Sequence, residues 1–264
     1  MDDKKIKQLI DYIIKEPSSD AGEKEGHKFP FVSHEILKSG SNVILEHFFP
    51  KITQRRESVN SRGSEDETTA QTTTTGIDSP RSSSSRVLMI DENSYHKENL
   101  DYMFSLLAKR EELNCVLSGY FSKVVQSFFQ RNKKDICAYF YSQDQHLNHF
   151  QHHIYSKSVA DLFKSFLVLT PDETYFNDEG NEKSSKPQVY SKFYDKRVKA
   201  FNAVYQALEK SEDADTIANC QFLIESLAAK IDQTVDGVKL LDDVLFRKEN
   251  LQSVFNCCQS VRFQ

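Results

Sequence analysis

The chain has 264 residues, which is long enough for one large or two ordinary domains with a substantial hydrophobic core. It contains only 8 glycines and 6 prolines, it has no tryptophan, and strand-like alternation is rare, so the composition favours helices. The formal net charge of −5 gives no global reason to bind nucleic acid or an anionic membrane surface. Neither nucleic acid nor a membrane is therefore expected as a partner.

Cysteine usage and the N-terminal segment indicate the compartment. Five cysteines occur without Cys-x-x-Cys spacing, and we predict that they are reduced, buried thiols: Cys115, Cys137, Cys220, Cys257 and Cys258. The first residues are charged and amphipathic, unlike a secretory signal. The apolar runs are far shorter than the roughly 18 residues of a membrane span. We expect an intracellular protein in the cytoplasm, with the nucleus as an additional location.

The first predicted elements are two helices. Apolar residues at helical spacing predict a helix over residues 5–15 that ends before Pro17. A polar turn follows it. A second helix begins near Phe29, with Pro30 in its first turn, and Gly40 stops it. A short apolar segment comes after this second helix.

Residues 51–93 differ sharply in composition from the rest of the chain. They are rich in serine, threonine and charged residues and contain almost no side chain able to enter a core, which predicts a disordered insert between helices that pack without it. Ser58 follows two arginines and Ser79 precedes a proline, so both are candidate phosphorylation sites. An unmodified spacer is the alternative.

Helical patterning resumes after the insert. Predicted helices with short turns cover residues 100–107, 113–129, 136–140, 147–154 and 159–167. Within residues 113–129 the apolar positions recur in pairs every four residues, so the apolar stripe drifts by roughly 40° at each repeat. Such a helix contacts different neighbours along its length. We expect Gly119 to allow a close helix approach while Tyr120 and Phe121 fill the contact.

A second polar loop at residues 171–188 precedes the last helices, which are predicted at residues 190–208, 217–231, 240–245 and 251–255. In total we predict about ten amphipathic helices and no strand. Consecutive helix pairs with more than one apolar face are what an armadillo or HEAT-like α-solenoid requires. We therefore predict a single all-α helical-repeat domain over residues 1–264. A single closed helical bundle is the alternative.

The sequence lacks the usual catalytic and cofactor motifs. It has no phosphate-binding loop, no dinucleotide fingerprint, no zinc-protease motif and no hydrolase nucleophile elbow. His146, His149 and His153 would lie on one helix face and are weak candidates for a metal site. Because no matching fourth ligand stands nearby, a partly buried polar face is the interpretation we favour. We predict a protein that is not an enzyme and holds no cofactor.

Lysines alternate with aromatic residues near residue 195. Basic and aromatic side chains together can bind RNA or phosphopeptides. On a helix, however, Lys192, Lys196 and Lys199 would lie opposite the aromatic stripe, so the two sets would not act together. We predict that these lysines form a solvated face.

Residues 12–37, which read YIIKEPSSDAGEKEGHKFPFVSHEIL, resemble a stretch of the SAPS-domain family. In that family a helix ends with Glu and Pro, a charged turn follows, and an aromatic-Pro pair leads into a helix containing Glu-Ile-Leu. The matching positions include Glu16, Pro17, Phe29, Pro30, Glu35, Ile36 and Leu37.

Two further stretches carry the same resemblance. LSGYFSKVV, residues 117–125, is similar to the family's Gly-Tyr-Phe-Ser-Lys-Val helix, and HIYSKSVADLF, residues 153–163, is similar to its His-Ile segment. The matching positions are Gly119, Tyr120, Phe121, Ser122, Lys123 and His153.

The resemblance implies a function. Members of the SAPS-domain family are non-catalytic helical-repeat regulatory subunits of the type 6 serine/threonine protein phosphatase. It therefore implies a scaffold that binds a type 6-like catalytic subunit, together with further scaffold subunits, and directs its substrate choice or location. A generic helical-repeat adaptor for another protein partner is the alternative.

Overall fold

The computed structural model describes residues 2–18, 20–49, 95–170 and 188–261. All regular secondary structure within these ranges is helical, and no strand occurs in them. The all-α prediction is therefore confirmed for the described part of the chain.

Two predicted features fall elsewhere in the chain. The predicted insert at residues 51–93, with Ser58 and Ser79, and all but the last residue of the loop predicted at residues 171–188 lie outside the described residues. Among the helices that are described, none is both long enough and apolar enough to cross a membrane.

The N-terminal helices match their predicted positions closely. Helix α1 (Asp3–Ile14) is followed by a π-helical turn (Lys24–Lys28) that runs directly into α2 (Phe29–Lys38), and a short helix α3 (Asn42–Leu45) comes next. Gly40 ends α2 with a φ of 54°, a left-handed conformation that glycine adopts without strain. A Cβ atom at Gly40 would also lie 2.5 Å from Nε of Arg131, so a side chain here would require the arginine to move.

The central helices follow one another with short turns. They are α4 (Lys97–Phe104) with a 3₁₀ turn (Ser105–Ala108), α5 (Cys115–Arg131), α6 (Lys133–Ser142), α7 (Asp144–His152) and α8 (Lys157–Leu167). Asn114 caps the start of α5, because its Oδ1 accepts hydrogen bonds from the backbone N–H of Val116 at 3.0 Å and of Leu117 at 3.2 Å. This cap explains why the helix begins at Cys115.

The C-terminal helices are α9 (Gln188–Ser191), α10 (Tyr194–Lys210), α11 (Ala214–Ala229), α12 (Gly237–Leu240) and α13 (Lys248–Val261), with a π-helical turn (Leu241–Leu245) after α12. The prediction of one continuous helix over residues 190–208 is wrong. A turn in which Phe193 N donates to Tyr190 O at 3.0 Å separates α9 from α10. The turn allows both rings to be buried, and the ring of Phe193 stacks on Tyr141 with centroids 4.5 Å apart.

The helices pack in a succession along the chain. Helix α1 contacts α2, α2 contacts α5, α5 contacts α8, α8 contacts α11, α11 contacts α10, and α10 contacts α13. Helix α5 therefore lies between α2 on one side and α8 on the other. The prediction that this helix contacts different neighbours is confirmed.

Aromatic side chains fill the contacts between the central helices. Phe140 of α6 stacks on Phe166 of α8 with centroids 4.0 Å apart, and Phe104 meets Phe121 of α5 edge to face at 5.4 Å. Such aromatic pairs contribute about 0.5–1.5 kcal/mol each beyond the burial of their area. Buried apolar side chains from Ile6 to Cys257 belong to one connected core.

A fully buried arginine joins the C-terminal helices to the centre. Arg197 of α10 has no exposed surface, and its Nε donates to Leu167 O at 2.9 Å while its Nη1 donates to Val235 O at 3.0 Å. Leu167 is the last residue of α8, where carbonyl oxygens lack helical partners and the helix dipole favours a cation. Burial lowers the pKa of the guanidinium from its usual value. Arg197 therefore connects three segments of chain at one point.

The expectations for cysteines and lysines need correction. Cys137, Cys220 and Cys257 are buried, but Cys115 is exposed because it is the first residue of α5 and lies on the solvent side of the helix. The side chain of Cys258 lies outside the described part of the chain. The predicted solvated lysine face agrees with Lys192 and Lys199, which are exposed, but Lys196 is half-buried. Lys196 Nζ donates to Tyr141 O at 2.6 Å, near the C-terminal end of α6, since a lysine stem can lie along apolar surface while its amine reaches a helix end.

Candidate interaction surface

His146, the first of the three candidate metal ligands, is a core residue. Its side chain is 3% exposed, Nδ1 lies 3.0 Å from Phe140 O, and Nε2 lies 3.4 Å from the hydroxyl of Tyr139. Burial lowers the pKa of this imidazole to about 4, so the ring is neutral at pH 7. Both nitrogens already have polar neighbours within the core.

His153 is engaged in the same way, and His149 is only half-buried. Nε2 of His153 lies 2.8 Å from Lys109 O, and its Nδ1 lies 3.2 Å from the hydroxyl of Tyr155. Across the described ranges no three His, Cys, Asp or Glu side chains are grouped in a way that could hold a metal ion. His146 and His153 thus take part in packing and have polar neighbours inside the protein.

The first two stretches that resemble the SAPS family meet where α2 lies against α1 and α5. The rings of Tyr12 and Phe29 have centroids 5.3 Å apart, which joins the end of α1 to the start of α2. One turn further along α2, His34 stacks on Tyr120 of α5 at 4.7 Å with an interplanar angle of 20°. Aromatic contacts of this kind fix the positions of the three helices relative to one another.

His34 is buried without a good hydrogen-bond partner. It is 2% exposed, and neither ring nitrogen makes a hydrogen bond, although Nδ1 lies 3.4 Å from Oε1 of Glu35. Burial is the main cause that lowers the pKa of His34. The carboxylate of Glu35 raises this pKa, whereas the positive charges of Lys38 and Lys123 lower it further. The neutral ring therefore belongs to the packed structure of this junction.

The third stretch reaches the other side of the same helix. Leu113 N donates to the hydroxyl of Tyr155 at 2.8 Å, and Oγ of Ser118 lies 3.4 Å from Oγ of Ser156. These contacts join the segment before α8 to the start of α5. The first and third stretches consequently pack against the N-terminal half of α5, which contains the second.

Gly119 does not have the role expected for it. A Cβ atom built at this position would meet Oγ of Ser158 at 3.7 Å, which is an ordinary van der Waals distance. The contact with α8 is therefore close enough to pack but leaves room for a methyl group.

The motif residues differ in exposure, which separates packing from surface roles. Pro30, Phe121, Ser122 and His153 are buried; Phe29, Glu35, Gly119 and Tyr120 are half-buried; Glu16, Pro17 and Lys123 are exposed. A partner in solution can contact only the exposed and half-buried members. Of these, Glu16, Pro17 and Tyr120 lie around one concave surface.

We call this surface the α1–α5 groove. Three hollows with volumes of about 240, 290 and 250 Å³ adjoin one another between the end of α1, the π-helical turn and the start of α5. They share lining residues, so they form one depression and not three separate sites. The groove is defined by Glu16, Pro17, Pro30, Asn114, Leu117 and Tyr120.

The floor of the groove is mostly apolar. Pro30 and Leu117 are buried beneath it, the half-buried Tyr120 lines it, and Val116, which is 51% exposed, stands at its rim. Sequence reasoning identified Pro30 and Tyr120 but missed Val116 as a surface residue. Helical spacing placed Val116 in the apolar stripe, and only the Asn114 cap reveals that it belongs to an exposed helix end.

The rim of the groove carries carboxylates. Glu16, Glu25, Glu111 and Glu112 line it, and none of them makes an ion pair with another described residue. These carboxylates give this end of the molecule an excess of negative charge.

The lysines that line the groove are already engaged. Nζ of Lys15 lies 2.8 Å from Oδ1 of Asp11, and Nζ of Lys109 donates to Ile14 O at 2.9 Å. The hollows are lined by these two lysines and by a larger number of carboxylates, namely Asp11, Glu16, Glu25, Glu111 and Glu112, so the excess charge is negative.

The core holds two tyrosines whose pKa values are strongly shifted. Burial raises the pKa of Tyr139, whose hydroxyl donates to Oδ1 of Asp101 at 2.8 Å. Burial likewise raises the pKa of Tyr141, whose hydroxyl donates to Phe166 O at 2.7 Å. Each hydroxyl satisfies a polar group inside the protein, which is a structural role.

Comparison with protein-family models, with curated proteins and with solved structures returns no match for this chain.

Proposed function

We propose that this chain is a non-catalytic helical scaffold of the SAPS type. In this proposal it binds the catalytic subunit of a type 6-like serine/threonine protein phosphatase and directs the substrate choice or the location of that enzyme. One observation carries the proposal: the second stretch that resembles the family lies within α5, and the first and third stretches, which are far from each other in the sequence, both pack against the N-terminal half of that helix. Shared sequence in a shared contact region is expected when relatives retain a packed scaffold.

We further propose that the helices form a solenoid. The support comes from the succession of contacts, in which each layer packs on the next from α1 and α2 through α5, α8 and α11 to α10 and α13. In a solenoid each unit contacts mainly its neighbours and leaves extended surfaces for partners. A closed bundle would bring the first and last helices together.

Affinity purification tests the phosphatase proposal. The tagged full-length chain is expressed in its own cells, purified in mild buffer and analysed by mass spectrometry, and we expect a type 6-like catalytic subunit to co-purify in amounts comparable to the chain. A matched control is the variant Phe121→Ala, in which loss of a buried ring disrupts the scaffold. Repeated recovery of the intact chain without any phosphatase catalytic subunit would refute the proposal.

The same purification distinguishes the alternative. If the chain is a generic adaptor, a different protein will co-purify reproducibly in place of a phosphatase. Cross-linking mass spectrometry tests the arrangement of helices independently of any partner. A solenoid predicts lysine cross-links between neighbouring helices and none between Lys5 of α1 and Lys248 of α13, whereas a closed bundle predicts that the latter pair is linked.

A further inference from the structure

We propose that the α1–α5 groove is a docking site for a basic segment of a partner protein that carries an aromatic or aliphatic side chain. The proposal is independent of which enzyme the chain binds, because it rests on the shape and charge of the groove alone. It concerns a peptide-sized ligand and not a second large interface.

The shape of the groove suits a short segment. Individual hollows of about 240 to 290 Å³ are of the size that one large side chain and its neighbours occupy, and they lie side by side. Pro30, Leu117 and Tyr120 offer apolar surface at the base, and Val116 extends that surface to the rim. A segment with one or two apolar residues would bury them here and remove Val116 from water.

The negative charge of the groove favours a segment with positive charge. Glu111 and Glu112 lie beside one hollow and Glu25 beside another, while Glu16 lines both. Lys15 and Lys109 are held by Asp11 and by Ile14 O, and His27 also lines the groove. A basic segment gains complementary charge at the rim, whereas an acidic one is repelled. Arginine or lysine next to an apolar residue is therefore the expected pattern.

Apolar side chains are also exposed on α2, where Phe31, Val32 and Ile36 are 52%, 41% and 37% exposed. The groove combines concavity, an apolar floor and an excess of carboxylates, and these three features together specify its ligand.

Selection from a library tests the proposal without a known ligand. The probe is a phage library of random dodecapeptides, selected on the full-length chain. We expect enriched peptides to carry net positive charge together with an aromatic or aliphatic residue. The groove variant replaces Glu16, Glu111 and Glu112 by Gln, and the control variant changes the net charge equally with Glu212→Gln, Glu225→Gln and Asp242→Asn, all at exposed positions away from the groove.

Affinity of the most enriched peptide is then measured by fluorescence anisotropy. We expect the groove variant to bind about tenfold more weakly and the control variant to bind within about twofold of the original chain. Val116→Ser should weaken binding as well, because it removes apolar surface at the rim. Circular dichroism of each variant confirms that it is folded.

A fluorophore on Cys115 locates the peptide, since this exposed residue precedes Val116 at the groove rim. Cys258→Ser is included so that labelling is confined to Cys115, and we expect the emission to shift on peptide binding. Enrichment of acidic or purely apolar peptides, equal losses in both charge variants, or no enrichment at all would overturn the proposal.

Discussion

Two junctions between helices illustrate opposite ways of burying a nitrogen-bearing side chain. At the α2–α5 junction, His34 stacks on Tyr120 and its ring nitrogens make no hydrogen bond. At the α8–α10 junction, Arg197 is buried with a charge and donates to the carbonyls of Leu167 and Val235. The first junction relies on ring contact and the second on directed hydrogen bonds. The two should therefore respond differently to mutation and to pH.

The largest effect is expected at the arginine. Arg197→Ala leaves two buried carbonyls without donors and creates a cavity, so we expect the free energy of unfolding to fall by about 3–5 kcal/mol. Urea denaturation followed by circular dichroism measures the change. Lys199→Ala, at an exposed position of the same helix, should stay within about 0.5 kcal/mol. A loss below about 1 kcal/mol at Arg197 would mean that the hydrogen bonds contribute little.

Acid should weaken the N-terminal and central helices, including the first junction, and spare the second junction. All 8 histidines lie before residue 154, and none lies among the C-terminal helices. Burial lowers the folded-state pKa of His146 to about 4, so the unfolded chain takes up a proton as pH falls below about 6.5 while the folded chain does not. Stability is therefore complete above pH 6.5 and is lost as pH falls towards 4, by up to about 3 kcal/mol from His146 alone.

Urea unfolding midpoints measured at about pH 7, 5.5 and 4.5, on both sides of the ordinary histidine pKa of about 6.5, test this dependence. His146→Gln should flatten the profile, whereas His27→Gln, at an exposed position, should leave it unchanged. Hydrogen exchange at the lower pH should rise in α2, α5 and α7 before it rises in α10 and α13. Equal exchange in both regions would remove the distinction between the junctions.

Removing the buried imidazole sharpens the comparison further. Neither ring nitrogen of His34 makes a hydrogen bond, and His34→Leu replaces this ring by an apolar side chain of similar volume. We therefore expect the free energy of unfolding at pH 7 to rise by about 1 kcal/mol. The variant should also lose part of the acid sensitivity, because the lowered pKa of His34 destabilises the fold as pH falls. Thermal and urea unfolding measure both effects. A clear loss of stability would show that the stack on Tyr120 outweighs the buried polar atoms.

The smallest effect is expected at Gly119. Because a methyl group fits there at 3.7 Å from Ser158 Oγ, Gly119→Ala should raise stability by up to about 1 kcal/mol through helix propensity. Differential scanning calorimetry is sensitive enough to detect the corresponding increase in Tm. Destabilisation would indicate that α8 approaches more closely than this spacing implies.

The helices could be predicted from the sequence because apolar residues at spacings of three and four are a local signal. The break between α9 and α10 could not, since it depends on Phe193 reaching Tyr141, far away in the chain. For the same reason, the sequence did not indicate that Arg197 and His34 are buried. Their burial depends on carbonyls and rings supplied by other helices.

The candidate site was predictable only in part. Glu16, Pro17, Pro30 and Tyr120 were selected by resemblance, and the structure brings them to one groove. The acidic rim at Glu111 and Glu112 comes from a loop that no periodic pattern describes. Its position depends on where α5 begins, which the Asn114 cap determines.

Gly40 has a consequence for how rigid the groove is. Its left-handed turn lets the side chain of Arg131 lie against the backbone at the end of α2, and Oγ of Ser127 donates to Lys38 O at 2.7 Å beside it. Helix α2 is thereby attached to the far end of α5, while His34 attaches it near the middle. These two attachments hold α2 in place along α5, so the two sides of the groove keep a fixed spacing. The protein therefore loses little conformational entropy when a partner binds.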